Sequence, residues 1–452
     1  MYIRLGGGVG FRDTDTPVHP STPRVGVVGA GYWGPNLIRN LAELPGSPLA
    51  AVADANPARL AYIRARYPAV ALYDTGTTLF NISGIDAVVI ATPAETHYDL
   101  AREALLAGKH VFVEKPLATS GAQCIELARI ADHRGLTLMA GHTFIHNDAL
   151  RWTKQQLDAG SLGDVHYLYS RRLNLGQIRQ DINVVWNLAP HDISIMGFLL
   201  EARPNRVSCA GYAYIQNGVE DVAFITLEYP PVTPERSVLQ SGEMGQAGSE
   251  ASRDQGRRGG PSAASRDQGR WGGPSAAHIN QGRWGGGETP RSAHIHVSWL
   301  DPHKVREVVV VGTRQMIVYD DVDADRVIQV YDKGVDRVSV PESTPGTPGG
   351  HATTDPRERA ETYGEFKLLL RWGDLHIPRL RLGEPLRNEM AHFVHCVATG
   401  ARPITDAVNG WEVVRILEAC DASLRVRGAP VEIDWSVPAD APPAFHASRV
   451  TS

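Results

Sequence analysis

From residue 24 onward, short continuous apolar runs alternate with segments whose apolar positions recur at helical spacing. Val25-Gly26-Val27-Val28, Leu49-Ala50-Ala51-Val52-Ala53, Ala87-Val88-Val89-Ile90-Ala91 and His110-Val111-Phe112-Val113 have the pattern of strands buried on both faces. Between them, Trp33–Leu44, Ala58–Tyr67, Tyr98–Ala107 and Ala122–Arg134 read as helices, with Leu37, Ile38 and Leu41 on one side of the first. Strands alternating with helices predict an α/β fold: a doubly wound parallel Rossmann sheet over residues 23–142. After Gly141 the period changes. Val165–Asn174, Val219–Tyr229, Val305–Asp320 and Arg326–Tyr331 alternate residue by residue. They predict a large, mostly antiparallel sheet in an α+β domain over 143–434, with C-terminal helices over 386–424. Residues 1–22 read as a flexible leader and 435–452 as a tail.

Residues 232–292 interrupt the second domain. Ser252–Ala264 recurs as Ser265–Ala277 with one change, and Gln281–Gly286 keeps the same phase. The block is rich in Gly, Ser and Arg and nearly free of apolar residues. Burial cannot offset its ordering entropy, so it is expected to be a disordered insertion in a strand-to-strand loop. Its arginines and two tryptophans could bind RNA, but with so few charges a tolerated disordered loop is the expectation.

Composition narrows the functional classes. The 452 residues are 42% hydrophobic, enough for a sizeable core, and the formal net charge of −5 offers no basic excess for nucleic acid or an anionic membrane. No apolar run approaches the ~20 residues of a membrane helix, and the first twenty residues lack a signal-type apolar region. Cys124, Cys209, Cys396 and Cys420 fit neither a zinc site nor a disulfide framework, so a cytoplasmic location is expected. His294 and His296 alternate on one strand without a third ligand at sensible spacing, and no metal is expected.

The turn Gly29-Ala30-Gly31-Tyr32-Trp33-Gly34 lies between a predicted strand and a predicted helix, the context in which GxGxxG binds a dinucleotide. Gly29 permits the tight turn, Gly31 lets backbone approach a pyrophosphate, and Gly34 lets helix and strand pack closely. The helix N-terminus then presents amides to the phosphates. Asp54 closes the second strand, where a carboxylate accepts hydrogen bonds from ribose hydroxyls and repels a 2′-phosphate, favouring NAD over NADP.

Together with this turn, Ala91-Thr92-Pro93-Ala94-Glu95-Thr96-His97, Glu114-Lys115-Pro116 and Trp186-Asn187-Leu188-Ala189-Pro190-His191-Asp192 make the chain resemble the Gfo/Idh/MocA oxidoreductases. Arg172–Arg179, Asn183–His191 and Gly141–Asn147 are similar to the subgroup that oxidises the 3-hydroxyl of UDP-N-acetylglucosamine or its uronic acid. The resemblance implies an NAD-dependent dehydrogenase of a sugar or nucleotide-sugar hydroxyl, working as a homodimer or homotetramer. It implies dinucleotide contacts at Tyr32, Trp33, Thr92, Pro93, His97, Glu114 and Lys115. It further implies that Lys115 stabilises the developing alkoxide and that His191 takes the hydroxyl proton. His191 follows Pro190 at a predicted helix start, whose dipole would keep the imidazole neutral. Asn147, Arg172, Asn174, Arg179, Asn183, Asn187 and His191 are the implied substrate contacts, the arginines suiting a diphosphate. Asn187 departs from the family, in which many relatives carry aspartate; an amide cannot accept a proton. Two other readings stay open: a dehydrogenase of a free sugar or polyol, and a dinucleotide-sensing regulator without catalysis.

Overall fold

The computed structural model describes residues 22–176, 178–232, 289–339, 361–363 and 366–446. The leader, the repeat block and the Pro/Gly/Thr-rich stretch 341–356 lie outside the described residues, Thr22 and the few residues flanking the block aside.

Six parallel strands form the first sheet: β1 (Val25–Val28), β2 (Leu49–Ala53), β3 (Ala71–Tyr73), β4 (Ala87–Ile90), β5 (His110–Glu114) and β6 (Leu138–Gly141). Their order is β3-β2-β1-β4-β5-β6. It reverses between β1 and β4, where doubly wound sheets bind ligands beyond the carboxyl ends of the strands. β1 and β4 are buried along their whole length, because helices cover both faces. These helices are α1 (Gly34–Glu43), α2 (Pro57–Arg66), α3 (Gly76–Phe80), α4 (His97–Leu106) and α5 (Gly121–Arg134). Asn56 and Ser120 cap α2 and α5 by accepting backbone N–H bonds, and left-handed Gly135 ends α5.

The second sheet has ten strands: β7 (Val165–Leu173), β8 (Arg206–Tyr212), β9 (Val222–Val232), β10 (Thr289–Ser298), β11 (Val305–Gly312), β12 (Met316–Asp320), β13 (Ile328–Ser339), β14 (Glu361–Tyr363), β15 (Phe366–His376) and β16 (Val431–Glu432). The order is β14-β15-β13-β12-β11-β7-β10-β9-β8-β16, antiparallel except for β7 beside β10. β9 and β10 pair from Val232 opposite Thr289, so residues 233–288 connect two neighbouring strands. One face packs on α7 (Val184–Leu200) and α9 (Ala407–Arg425), with Ile195, Leu199, Leu417 and Cys420 meeting Leu168, Ile225 and Ile295. The alternate residues, including Tyr167 and Phe224, stay exposed on the other face. His294 and His296 lie there too, one beside the Thr226 hydroxyl and one stacked on Phe224.

Some elements differ from the sequence expectation. The run 305–320 is a hairpin, β11 and β12, rather than one continuous strand. α6 (Asp148–Asp158), β3, β6 and β8 are further elements beyond that expectation, β3 and β6 having only three and four residues in which to show a period. α8 (Pro385–Thr399) sets Leu386, Met390 and Phe393 against Leu37 and Ile38 of α1, so this C-terminal helix completes the first domain's core. The stretch from 435 is docked as far as residue 446 rather than loose: Trp435 Nε1 donates to the Pro204 carbonyl at 2.8 Å, and Phe445 is buried against Trp411.

Candidate active site

The glycine turn opens at the switch point. Gly29 has φ +99°, and a Cβ there would lie 2.7 Å from the Ala91 carbonyl at the end of β4. A Cβ on Gly34 would lie 2.0 Å from the Gly29 carbonyl. At Gly31 nothing comes closer than the Arg59 guanidinium at 3.6 Å, which leaves the space a pyrophosphate needs. Asp54 accepts from the Ala30 N–H at 2.7 Å through Oδ2 and from the Asn56 N–H at 2.8 Å through Oδ1. Oδ2 also meets Arg59 Nη1 at 3.4 Å, so the carboxylate ties down the turn through Oδ2 and keeps a lone pair on Oδ1 that can accept a ribose hydroxyl. The residues present therefore fit NAD. Gly34→Ala is expected to raise the Kd for NAD at least tenfold and lower Tm, measured by fluorescence titration and thermal melting. Unchanged binding would place the dinucleotide elsewhere.

Tyr32 is 90% exposed, and Trp33, next to it at the N-cap of α1, is exposed as well. The Thr92 hydroxyl accepts from Thr96, and Pro93 begins the turn into α4. His97 does not reach the opening: it is 1% exposed, with Nδ1 2.7 Å from the Pro116 carbonyl and Nε2 2.9 Å from the Thr92 carbonyl. Burial lowers its pKa, and a neutral ring donates to only one of the two carbonyls. The expected dinucleotide contact is corrected to a tie between the Thr92 turn and the cis Lys115–Pro116 bond.

Lys115 leaves the end of β5, and its Nζ donates to the backbone carbonyl of Asn187 on α7 at 2.7 Å. Asn187 and His191 are one turn apart, so both side chains face the same opening. The helix does not begin at His191. Asn183 caps it, accepting from the Trp186 N–H, and Pro190 lies inside it. The imidazole is kept neutral by other means: burial, then the charges of Lys115, Arg172, His142 and Arg306, hold it well below 6.5. Burial also brings the Lys115 ammonium down to about 8, opposed by Glu114 and helped by Arg172 and Arg179. Glu114 is raised to about 7 by burial, against the pull of Lys115.

Arg172 is corrected as a substrate contact. Its guanidinium is buried and spent on Asp192, with Nε 2.6 Å and Nη2 3.3 Å from the two carboxylate oxygens, and it lies 4.3 Å over the Phe144 ring. Asn147 is also occupied: Oδ1 caps α6, and Nδ2 donates to Tyr319 at 2.9 Å. Asn174 is exposed beyond β7, and Arg179 is paired with Asp181. Asn183 and Trp186 help line a cavity of about 260 Å³ together with Ala94, Pro116, Asp181 and Asp421. Trp299 Nε1 donates to Asn187 Oδ1 at 3.2 Å, leaving the amide nitrogen as the donor for a ligand.

Residues 23–142 match the family model described as oxidoreductase family, NAD-binding Rossmann fold, and residues 150–234 match the GFO/IDH/MocA C-terminal domain. The chain carries the N-terminal and C-terminal domains of the GFO/IDH/MocA oxidoreductases. It is 33% identical over 193 residues to inositol 2-dehydrogenase 1 of Saccharopolyspora erythraea, covering 41% of this chain and 57% of that protein. It is 31% identical over 206 residues to UDP-N-acetylglucosamine 3-dehydrogenase of Acidithiobacillus ferrooxidans, covering 45% and 63%. The chain thus spans about half the length of the curated relatives it matches. Scyllo-inositol dehydrogenase from Lactobacillus casei, solved with NAD(H) and scyllo-inositol, shares the fold with a TM-score of 0.61 at 16% identity, covering 91% of this chain and 99% of that one.

The sequence singled out the glycine turn, Lys115 and His191, and in the fold Lys115 lies against Asn187, one turn from His191. Sequence reasoning missed Asp192, Phe144 and Trp299, which hold Arg172, His191 and Asn187 in place. Asp192 directly follows His191, and an acidic residue beside a candidate base was a usable signal. Among the described residues, no helix is long and apolar enough to cross a membrane.

Proposed function

We propose that this chain oxidises a secondary hydroxyl of a sugar or polyol ring with NAD. The observation that carries the reading is Lys115 Nζ at the carboxyl end of β5, 2.7 Å from the carbonyl of Asn187, one turn before His191 on α7 and two strands from the glycine turn after β1. Bound NAD supplies the hydride acceptor. The chain's own part is to orient the hydroxyl and remove its proton. His191 is neutral throughout the working range and can accept a hydrogen bond from the hydroxyl. Lys115, near 8, has the better matched basicity to take the proton itself.

Two substrate classes have support. A UDP-linked N-acetylamino sugar, oxidised at C3, is favoured by the relative acting on UDP-N-acetylglucosamine and by Arg179 within charge range of Lys115. A free polyol is favoured by the inositol dehydrogenase relative and by the pairing of Arg172, Arg179 and Arg306 with carboxylates of the same chain. The deciding test is NAD reduction with a panel of UDP-sugars, free sugars and inositols. Turnover of inositol with none of any UDP-sugar would end the nucleotide-sugar version. Absence of turnover with the whole panel, despite tight NAD binding, would favour a sensor instead. His191→Asn removes the imidazole as hydrogen-bond acceptor and is expected to lower kcat by about 10–100-fold while NAD binding stays near intact. A variant of full activity would remove His191 from the mechanism. A homodimer or homotetramer belongs to the same proposal, supported by the aromatic residues exposed on the outer sheet face.

A further inference from the structure

Behind Lys115 lies a cluster of buried polar groups that the proposed chemistry has not yet used. The register of β5 and β6 sets Glu114 opposite Gly141, which brings His142 beside Lys115 at the strand ends. His142 is 1% exposed and neither ring nitrogen has a partner. One turn on, His146 is also 1% exposed, with Nε2 unpartnered. Its ring centre lies 5.2 Å from that of His392 on α8. His392 is half-buried, and its Nε2 accepts from the Ile404 N–H at 3.0 Å. Glu389, one turn before His392, is fully buried. One of its oxygens accepts from the Thr143 hydroxyl at 2.7 Å and the other has no partner, like Glu114 Oε1.

Native interiors rarely leave polar atoms unpaired, because each costs about 1–3 kcal/mol. So many in one place are the lining expected of ordered internal water. An imidazole suits such a lining, because the neutral ring donates from one nitrogen and accepts on the other.

We propose that His142, His146 and His392 form a hydrated proton route from the Lys115–His191 centre to the surface beside α8. The proposal rests on the dehydrogenase reading. When the C–H hydride of the alcohol leaves, its O–H proton passes to Lys115. Lys115 returns to its neutral form by giving that proton to the first water of the row, and a proton leaves to solvent on water beside His392, whose Nε2 lone pair is held by the Ile404 N–H. Proton and hydride thus part in opposite directions, and one proton is released per alcohol oxidised. Burial lowers the basicity of His142 and His146, so the rings stay neutral and order the waters that carry the proton.

The test has two parts. A high-resolution crystal structure of the full chain is expected to show ordered waters bonded to His142, His146 and Glu389. Stopped-flow measurement then compares proton release, read by a pH indicator in weak buffer, with NADH formation. In the wild type the two are expected to coincide. In His146→Phe, proton release should lag and kcat should fall about tenfold in weak buffer, with recovery as buffer concentration rises. NAD binding should not change. His392→Gln, at the half-buried end, gives the same comparison if the phenylalanine variant fails to fold. A dry row, or synchronous release in these variants with kcat unchanged, overturns the route alone. No NADH formation with any alcohol overturns the dehydrogenase reading on which it rests.

Discussion

kcat/KM for alcohol oxidation is expected to rise with pH and level off above about 8, the value to which burial brings Lys115. The direction follows from the chemistry. The oxidised hydroxyl must lose a proton, so the form of Lys115 that works is the neutral amine, which becomes populated as pH passes its pKa. His191 cannot set this limb, because its imidazole is already neutral well below 6.5. Lys115→Met removes the acceptor and is expected to lower kcat/KM by about 10³-fold, within the range typical of a lost acid–base group. Lys115→Arg retains the charge but cannot be deprotonated, so its residual rate should be flat across the same pH range. Both variants should still bind NAD. A Lys115→Met enzyme with an unaltered pH limb would move the base to another residue.

The sequence was most informative where one physical constraint governs a whole segment. Strands buried on both faces must be apolar throughout, which made β1, β2, β4 and β5 legible. The glycines were legible because backbone contacts exclude a side chain at Gly29 and Gly34. Reading failed where the cause lies in distant partners. Pro190 looked like a helix start because proline usually is one, yet tertiary packing carries α7 straight through it. Nothing local to His142 and His146 marks them as buried. Their surroundings come from α8, some 240 residues later in the chain. Asn147 and Arg172 looked free for a ligand only because Tyr319 and Asp192 were not visible as their partners.

Arg172 turns that failure into a second large effect. Replacing it with Met is expected to destabilise the fold by about 3–5 kcal/mol, measured as the shift of the urea midpoint at constant m. The guanidinium and the Asp192 carboxylate are both buried, with side-chain exposures of 8% and 1%. Removing one leaves the other charged in a site that water cannot reach, and that penalty exceeds what the intact pair contributes. Asp192→Leu should cost a similar amount for the same reason. The double variant should recover much of the loss, because no unpaired charge then remains. A substrate-binding arginine would behave differently: KM would rise while the urea midpoint stayed in place. Arg172 also lies over Phe144, whose edge meets the His191 ring, so the double variant should regain stability without regaining full kcat. If instead the single and double variants lose equal stability, the pair is not acting as a buried ion pair, and its influence on Lys115 and His191 must be reassigned.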